Sequence, residues 1–391
     1  MNRAYRIIAV GLTALAILGA AFDRSPARAQ GSEFKIGWIL PQVGPVAEVA
    51  KQYMDGFEVA LEMINASGGF GGAKGRLIVC DSQNQESQAV ICAKKLINDD
   101  QINLLLGATG TPPTIAIEPT VEATGVPMFA LAGGSVAWVP VKKWVFKTFA
   151  GNDDQIPAEM DFLKKKGWLK AALIRDNSVF GNDTSKTAKE IAAKKGVQII
   201  TDEVYAPTDT DVTAQVTRIR ALNPDVILNL GQNVATSSLV SKKIVQLGIT
   251  TPIILGTNNV VEQFVKLTPE SIGQSYFAGS KVVVGEVASN DPLYGPITGF
   301  LKRYKEVRGS TANMTANTPQ IADAILFTAA VAKPLGAKAL DRAAMRDAIE
   351  GANHVPGIQG FWGFTPTNHA SDFSDGVQIV QYANNAWKPA K

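Results

Sequence analysis

Residues 104–117 read LLLGATGTPPTIAI. An apolar run enters a loop of glycine and threonine, and an apolar, helix-like run follows. A short, continuously apolar strand is what a sheet buried on both faces requires. A strand that feeds a helix through a short loop is half of a βαβ unit. Pro112 and Pro113 suit a first helical turn, where their fixed φ is already helical. Unpaired N–H groups and the helix dipole at such a start favour one negative charge. Thr109, Gly110 and Thr111 therefore form a candidate anion loop. It lacks the Gly-Lys-Ser/Thr ending of a phosphate cradle.

The same unit recurs on both sides. Upstream, the apolar pattern predicts strands at 34–40 and 77–80 and helices at 49–64 and 87–97. Downstream, a strand at 127–130 leads into ALAGGSVAW (130–138), which sets Ala132, Gly133, Gly134 and Ser135 at another strand end. The alternation restarts with a strand at 171–174. It runs through helices at 184–195, 212–222 and 241–247 and strands at 197–200, 226–230 and 253–255. A further helix is expected at 318–333. This is α/β organisation with parallel sheets, in two similar runs of about 34–150 and 170–280. Ligands of open parallel sheets sit beyond the carboxyl ends of the strands. Two adjacent hydroxyl-and-amide loops there suit a carboxylate; the alternative is that both merely cap helices. NASGGFGGAKG (65–75) follows a helix and leads into a strand, so it reads as a turn and not as a dinucleotide fingerprint.

The remaining features narrow the class. Two arginines, an apolar run at 7–22 and Ala27-Arg28-Ala29 predict a signal peptide over 1–29 with cleavage after Ala29, hence export to the periplasm. The rest, about 360 residues, exceeds one ordinary core and implies two domains. The formal charge is +3, with no basic run to suggest nucleic acid. Cys80 and Cys92 are either a disulfide, plausible in an oxidising compartment, or two buried thiols. No metal site is expected, since His354 and His369 lie far from both cysteines. No Gly-x-Ser-x-Gly elbow is present, and two histidines near the end support no Ser-His-Asp set. Binding without chemistry, and without a cofactor, is the simpler expectation.

Further motifs carry a resemblance. Gly44-Pro45-Val46-Ala47, the run from Asp55 to Gly69, Cys92 to Asp100, Lys147 to Gln155 and NPDVILNLG (223–231) follow one another in order. Together the chain resembles the periplasmic substrate-binding proteins of branched-chain amino-acid ABC transporters. The resemblance implies a type I periplasmic binding protein fold: two Rossmann-like lobes joined by three crossovers, with the ligand cleft between. The lobes would be 30–150 plus 281–358, and 151–280 plus 359–391. It also implies hinge closure on a small-molecule ligand, docking on an ABC permease at the inner membrane, and a monomer. A sensor module feeding a signalling receptor would use the same shape.

Carried onto this chain, the family's carboxylate-binding hydroxyl falls on Thr111, its backbone contact near Ala132, and its second hydroxyl on Gly134, a departure that Ser135 could cover. Asn152 stands where the position beside the hinge is usually Asp. Phe180 falls on an aromatic position, and Gln232 or Asn233 on a tyrosine. Trp138 is a further candidate wall for an apolar ligand body. Asn258 stands where amino-acid binders place a glutamate for the ligand's ammonium. A buried ammonium without a counter-charge costs several kcal/mol, and Asn supplies no charge. The expected ligand is thus a carboxylate or amide with an apolar body, an aromatic or aliphatic acid without an α-ammonium among the options; hydrophobic or branched-chain amino acids are the alternative. Asp153, Asp154 and Glu286 are the acids that could replace the missing glutamate.

Overall fold

The leucine run sits in the middle of a five-stranded parallel sheet. In the computed structural model, which describes residues 32–43, 47–311 and 314–391, this sheet is built from the first part of the chain. The expected signal peptide and Gly44-Pro45-Val46 lie outside the described residues. The elements run β1 (Glu33–Leu40), α1 (Ala47–Ala66), β2 (Lys74–Asp81), α2 (Glu86–Asn98), β3 (Leu104–Gly107), α3 (Thr111–Thr124), β4 (Met128–Ala130) and β5 (Val145–Lys147). The strand order is β2-β1-β3-β4-β5. All four residues of β3 are buried, as a strand covered by helices on both faces must be. α2 shows why the helices dock: Ala89, Cys92, Ala93, Leu96 and Ile97 recur at helical spacing and are its buried residues.

The second sheet repeats the plan. After α4 (Asn152–Lys166) come β6 (Lys170–Asp176), α5 (Val179–Lys195), β7 (Gln198–Tyr205), α6 (Thr213–Ala221), β8 (Val226–Asn229), α7 (Val234–Gln246), β9 (Ile253–Leu255), α8 (Glu262–Leu267) and β10 (Ser275–Ser280). The parallel part has the order β7-β6-β8-β9-β10, the same order as in the first sheet. The chain then passes through α9 (Lys281–Val284), α10 (Tyr294–Arg308), α11 (Thr318–Ala332), α12 (Arg342–Glu350), β11 (Val355–Pro356) and β12 (Phe361–Trp362). It ends in β13 (Val377–Ala383) and β14 (Ala386–Pro389), antiparallel additions to the second sheet beside β10.

The packing of α10–α12 explains how the lobes are shared out. Ile297, Phe300, Ile321, Ile325 and Met345 join Trp38, Phe57 and Phe129 in one core. α11 lies so close to α1 that a Cβ on Gly56 would stand 1.8 Å from the Thr318 carbonyl oxygen. Residues 359–373 were expected in the second lobe, yet Trp362, Phe364 and Phe373 pack in this first core. Trp362 stacks on Phe327 of α11 and donates its indole N–H to buried Asp323. The last crossing therefore falls just before β13, not at 359.

Several elements differ from the reading of the sequence. α5 begins at 179 and not 184, and α7 at 234 and not 241. Side-chain caps account for both: Ser178 accepts the Gly181 N–H, and Asn233 accepts the Thr236 N–H. α4 was not anticipated. Cys80 and Cys92 form a disulfide, since the end of β2 and the middle of α2 bring their Cα atoms within 5.6 Å.

Candidate functional site

The carboxyl ends of both sheets face each other across a cleft. From the first lobe come the loops after β3 and β4; from the second come the loops after β8 and β9 and the first turns of α4 and α5. The lobes touch here. A Cβ on Gly133 would stand 2.8 Å from the Phe180 ring, and one on Gly110 would stand 3.6 Å from Gln232 Nε2.

The first-lobe rim carries the candidate anion loops, and the donors of Gly110, Gly134 and Ser135 on it are engaged. Ser135 donates its N–H to Asp183 Oδ2 and its hydroxyl to Asp183 Oδ1, both at 2.8 Å. Asn152 Nδ2 donates to the same carboxylate at 3.1 Å. Asp183, on α5 of the second lobe, thus takes both donors of Ser135, the residue expected to cover for Gly134. Gly134 N–H donates to the Thr111 hydroxyl oxygen at 3.2 Å. The Gly110 N–H goes to Leu131 O. Gly110 itself sits at φ 96, a left-handed geometry that glycine adopts without Cβ strain. The start of α3 is a weaker anion site than its loop suggested, because Pro112 and Pro113 take two N–H groups out of its first turn. Thr109 Oγ1 is the exception on this rim: it is buried and has no hydrogen-bond partner among the described residues.

The second-lobe side is a recess of about 240 Å³, part of it open to solvent. Phe180, Ile156 and Leu230 form its apolar wall, and Asn152, Gln155, Glu159, Thr184 and Asn258 its polar lining. Most amide donors there are engaged. Asn152 Nδ2 bonds Asp183 and Thr184 Oγ1. Asn258 Nδ2 donates to the carbonyls of Gly231 and Gln232, at 3.1 and 2.9 Å. Gln155 Nε2 donates to Ala150 O, and its Oε1 accepts the Thr257 N–H. Glu159 differs from all of these. It is 1% exposed, and its Oε2 has no hydrogen-bond partner among the described residues. Burial pushes its carboxyl up to about 8, with no charged neighbour to offset it.

The predicted residues therefore divide. Asn152, Phe180 and Asn258 line the recess; Thr109, Gly110, Thr111, Gly133, Gly134 and Ser135 form the facing rim. The side chains of Ala132 and Trp138 are buried in the first-lobe core around α2 and α3, so Trp138 does not wall the recess, and Ala132, expected to act through its backbone, adjoins Gly133 on the rim. Asn233 caps α7, and the Gln232 N–H donates to Asp176. Of the acids suggested as replacements for a glutamate at 258, Asp153 and Asp154 pair with Lys147, Asp153 at 2.9 Å. Glu159 was missed, although a signal existed. Ile156, Met160 and Leu163 mark the buried stripe of a helix with acids in its first turn and lysines in its last. Glu159 falls on that stripe.

A second recess, of about 300 Å³, lies at the crossings and is lined by Ala150, Ser280, Gln320 and Gln359 among others. Thr257 borders it, and Asn258 and Gly256 border the first. The crossings are tied together by Lys147. Its ammonium, 1% exposed, bonds Asp153 and Asp154 and lies 5.5 Å from the centres of the Trp138 and Phe373 rings. Burial pulls its pKa down, but the two carboxylates outweigh that and hold it above the usual lysine value. Asp154 also accepts N–H groups from Gly151 and Phe373. The first and third crossings thus share one buried charge cluster.

Residues 33–386 match the family model described as periplasmic binding protein. The chain belongs to that family. Its relatives include a "Leu/Ile/Val-binding protein homolog 7" from Brucella abortus (strain 2308), 24% identical over 351 residues, 86% of this chain and 85% of that one. Among solved structures, an extracellular ligand-binding receptor from Rhodopseudomonas palustris HaA2 superposes with a TM-score of 0.81 at 23% identity, covering 92% of this chain and all of the other. A branched-chain amino-acid transporter substrate binding protein LivJ from Streptococcus pneumoniae, in complex with isoleucine, gives 0.78 at 19% identity over 92% of this chain and 99% of that one. The two-lobed type I arrangement is the fold that this periplasmic binding protein shares with them.

Proposed function

We propose that this protein is the extracytoplasmic, periplasmic solute-binding component of an ABC importer of the branched-chain amino-acid type. It holds a small ligand between its lobes by cleft closure and delivers it to an inner-membrane permease. The family match and the names of the relatives support the importer role.

The observation that carries the ligand class is the inequality of the two cleft faces. The rim donors of Ser135 are already engaged by Asp183, whereas the recess holds an unpartnered buried acceptor on Glu159. A buried carboxyl oxygen left unpaired costs roughly 1–3 kcal/mol; a head group that donates N–H pairs it, and a charged amine also draws the carboxyl to its carboxylate form. Its apolar body rests against Phe180, Ile156 and Leu230. The expectation of an acid without an amine gives way to an amide or amine head. The buried, unpartnered Thr109 hydroxyl favours an additional acceptor on the ligand, which a primary amide or a hydrophobic amino acid supplies.

A thermal-shift panel tests this. It contains leucine, phenylalanine, their amides, and the corresponding simple amines, amides and deaminated acids. A ligand specific for the folded state raises the melting midpoint by mass action. Shifts are expected with N–H-bearing members. A shift confined to the deaminated acids contradicts the proposed ligand class.

A further inference from the structure

We infer that Glu159 of α4 is the recognition residue for a protonated amine on the ligand, in the place where the loop after β9 offers only the neutral Asn258. The inference rests on the solute-binding reading above and goes further by requiring a cationic head. Three observations carry it. Glu159 lines the recess, is 99% buried (1% exposed), and presents an oxygen with no partner among the described residues. Asn258 offers an ammonium only a neutral amide oxygen, which already accepts from Asn259 Nδ2 at 3.2 Å. The other lining side chains are neutral, so a cation entering the recess has one carboxylate to meet.

The surrounding charges are held elsewhere. Asp176 of β6 accepts from Gln232 and Ser178, and Asp183 of α5 from Ser135 and Asn152. On α4 itself Asp153 and Asp154 pair with Lys147, and Asp161 with Lys195 of α5. Lys186, Lys189, Glu190 and Lys194 of α5 are exposed, as are Asp372 and Asp375 before β13. β10 brings Tyr276, packed on Phe162 and Trp168, and β13 brings Tyr382, packed on Trp387. Strands β8 and β9 carry no titratable residue. Glu159 is therefore protonated near neutral pH until an ammonium arrives. Binding a cationic amine then releases a proton: Glu159 goes from carboxylic acid to carboxylate, and the ligand stays protonated.

The test is titration calorimetry of the purified protein and of Glu159→Gln with leucine, leucinamide, 3-methylbutylamine, 4-methylpentanamide and 4-methylpentanoate, and with their phenyl counterparts. The amine-bearing members are expected to bind, and Glu159→Gln to weaken them about 10- to 100-fold, the range of a charge-assisted hydrogen bond. At pH 7, comparison of buffers with different ionisation enthalpies should show close to one proton released by the unsubstituted protein. This second readout needs no variant and stands if Glu159→Gln fails to fold. Binding of amines unchanged in Glu159→Gln, or amine binding without proton release, overturns the inference. Tight binding of the neutral amides alone, insensitive to Glu159→Gln, overturns it and leaves the solute-binding reading intact. Silence from the whole panel overturns both.

Discussion

The two faces of the cleft come from the same strand order, yet they end in opposite states. On the first-lobe rim the Ser135 donors are engaged by a carboxylate supplied by the other lobe, Asp183. The second-lobe recess keeps an acceptor, Glu159, without a partner. The chain context makes the difference. The loops after β3 and β4 are glycine-rich and short in side chains, so a neighbouring side chain can reach their backbone. The recess instead lies under α4, a helix that inserts full-length side chains. Topology sets where a site lies; the side chains that enter it set its chemistry.

The largest expected effect concerns what the two faces share. Lys147→Met would leave Asp153 and Asp154 without their buried partner. Breaking such a pair on one side costs about 3–5 kcal/mol, and both lobes should be affected because the cluster ties two crossings. Urea unfolding followed by circular dichroism measures it; an unchanged midpoint would mean the cluster does not tie the crossings. The next effect is confined to one lobe. Replacing Cys80 and Cys92 by alanine removes a cross-link between residues 12 apart in sequence, worth about 3 kcal/mol on loop entropy. Calorimetry should show a first-lobe transition moving down while the second-lobe transition holds.

Asp183→Ala acts where the rim meets the second lobe and also removes one partner of Asn152 Nδ2. It leaves the Ser135 N–H and hydroxyl unpaired in the closed form, at about 1–3 kcal/mol. The closed form should lose population, which small-angle scattering reads as a larger radius of gyration without ligand. Equal radii would show that the Asp183 contact does not hold the lobes together.

The last effect belongs to the recess and is read against pH. Glu159 has its carboxyl raised from 4.5 to about 8 in the folded chain. The folded state therefore holds a proton that the unfolded chain releases. That contribution to stability is complete below the ordinary carboxyl value and is lost as pH rises through about 8. Asp323, raised to about 7 by burial against three N–H donors, behaves likewise. Between pH 6 and 9 the ligand-free melting temperature should fall, and Glu159→Gln should fall less. Parallel curves for the two proteins would remove Glu159 from the account.

Much of the fold was legible because its strands are buried on both faces. Runs such as 104–106, 226–228 and 253–255 are apolar throughout, and that leaves few other readings. α4 was harder to see, with Pro157 inside it and charged residues at both ends. The loops after β3 and β4 were located correctly in sequence, but no local pattern shows that a carboxylate 48 residues away bonds Ser135. Trp138 looked like a wall because it adjoins a site loop. It is packed instead in the first-lobe core around α2 and α3. Asn258 lines the recess without a charge, and the one carboxylate of that lining, Glu159, lies far earlier in the chain on α4, a juxtaposition that spacing along the chain does not reveal.

The most direct measurement is a crystal structure of the protein with whichever amine-bearing panel member binds most tightly. The account predicts the ligand nitrogen within hydrogen-bond distance of Glu159, the apolar body on Phe180, and Asp183 still on Ser135. A ligand carboxylate on Ser135 with Asp183 displaced, and no ligand atom at Glu159, would contradict it.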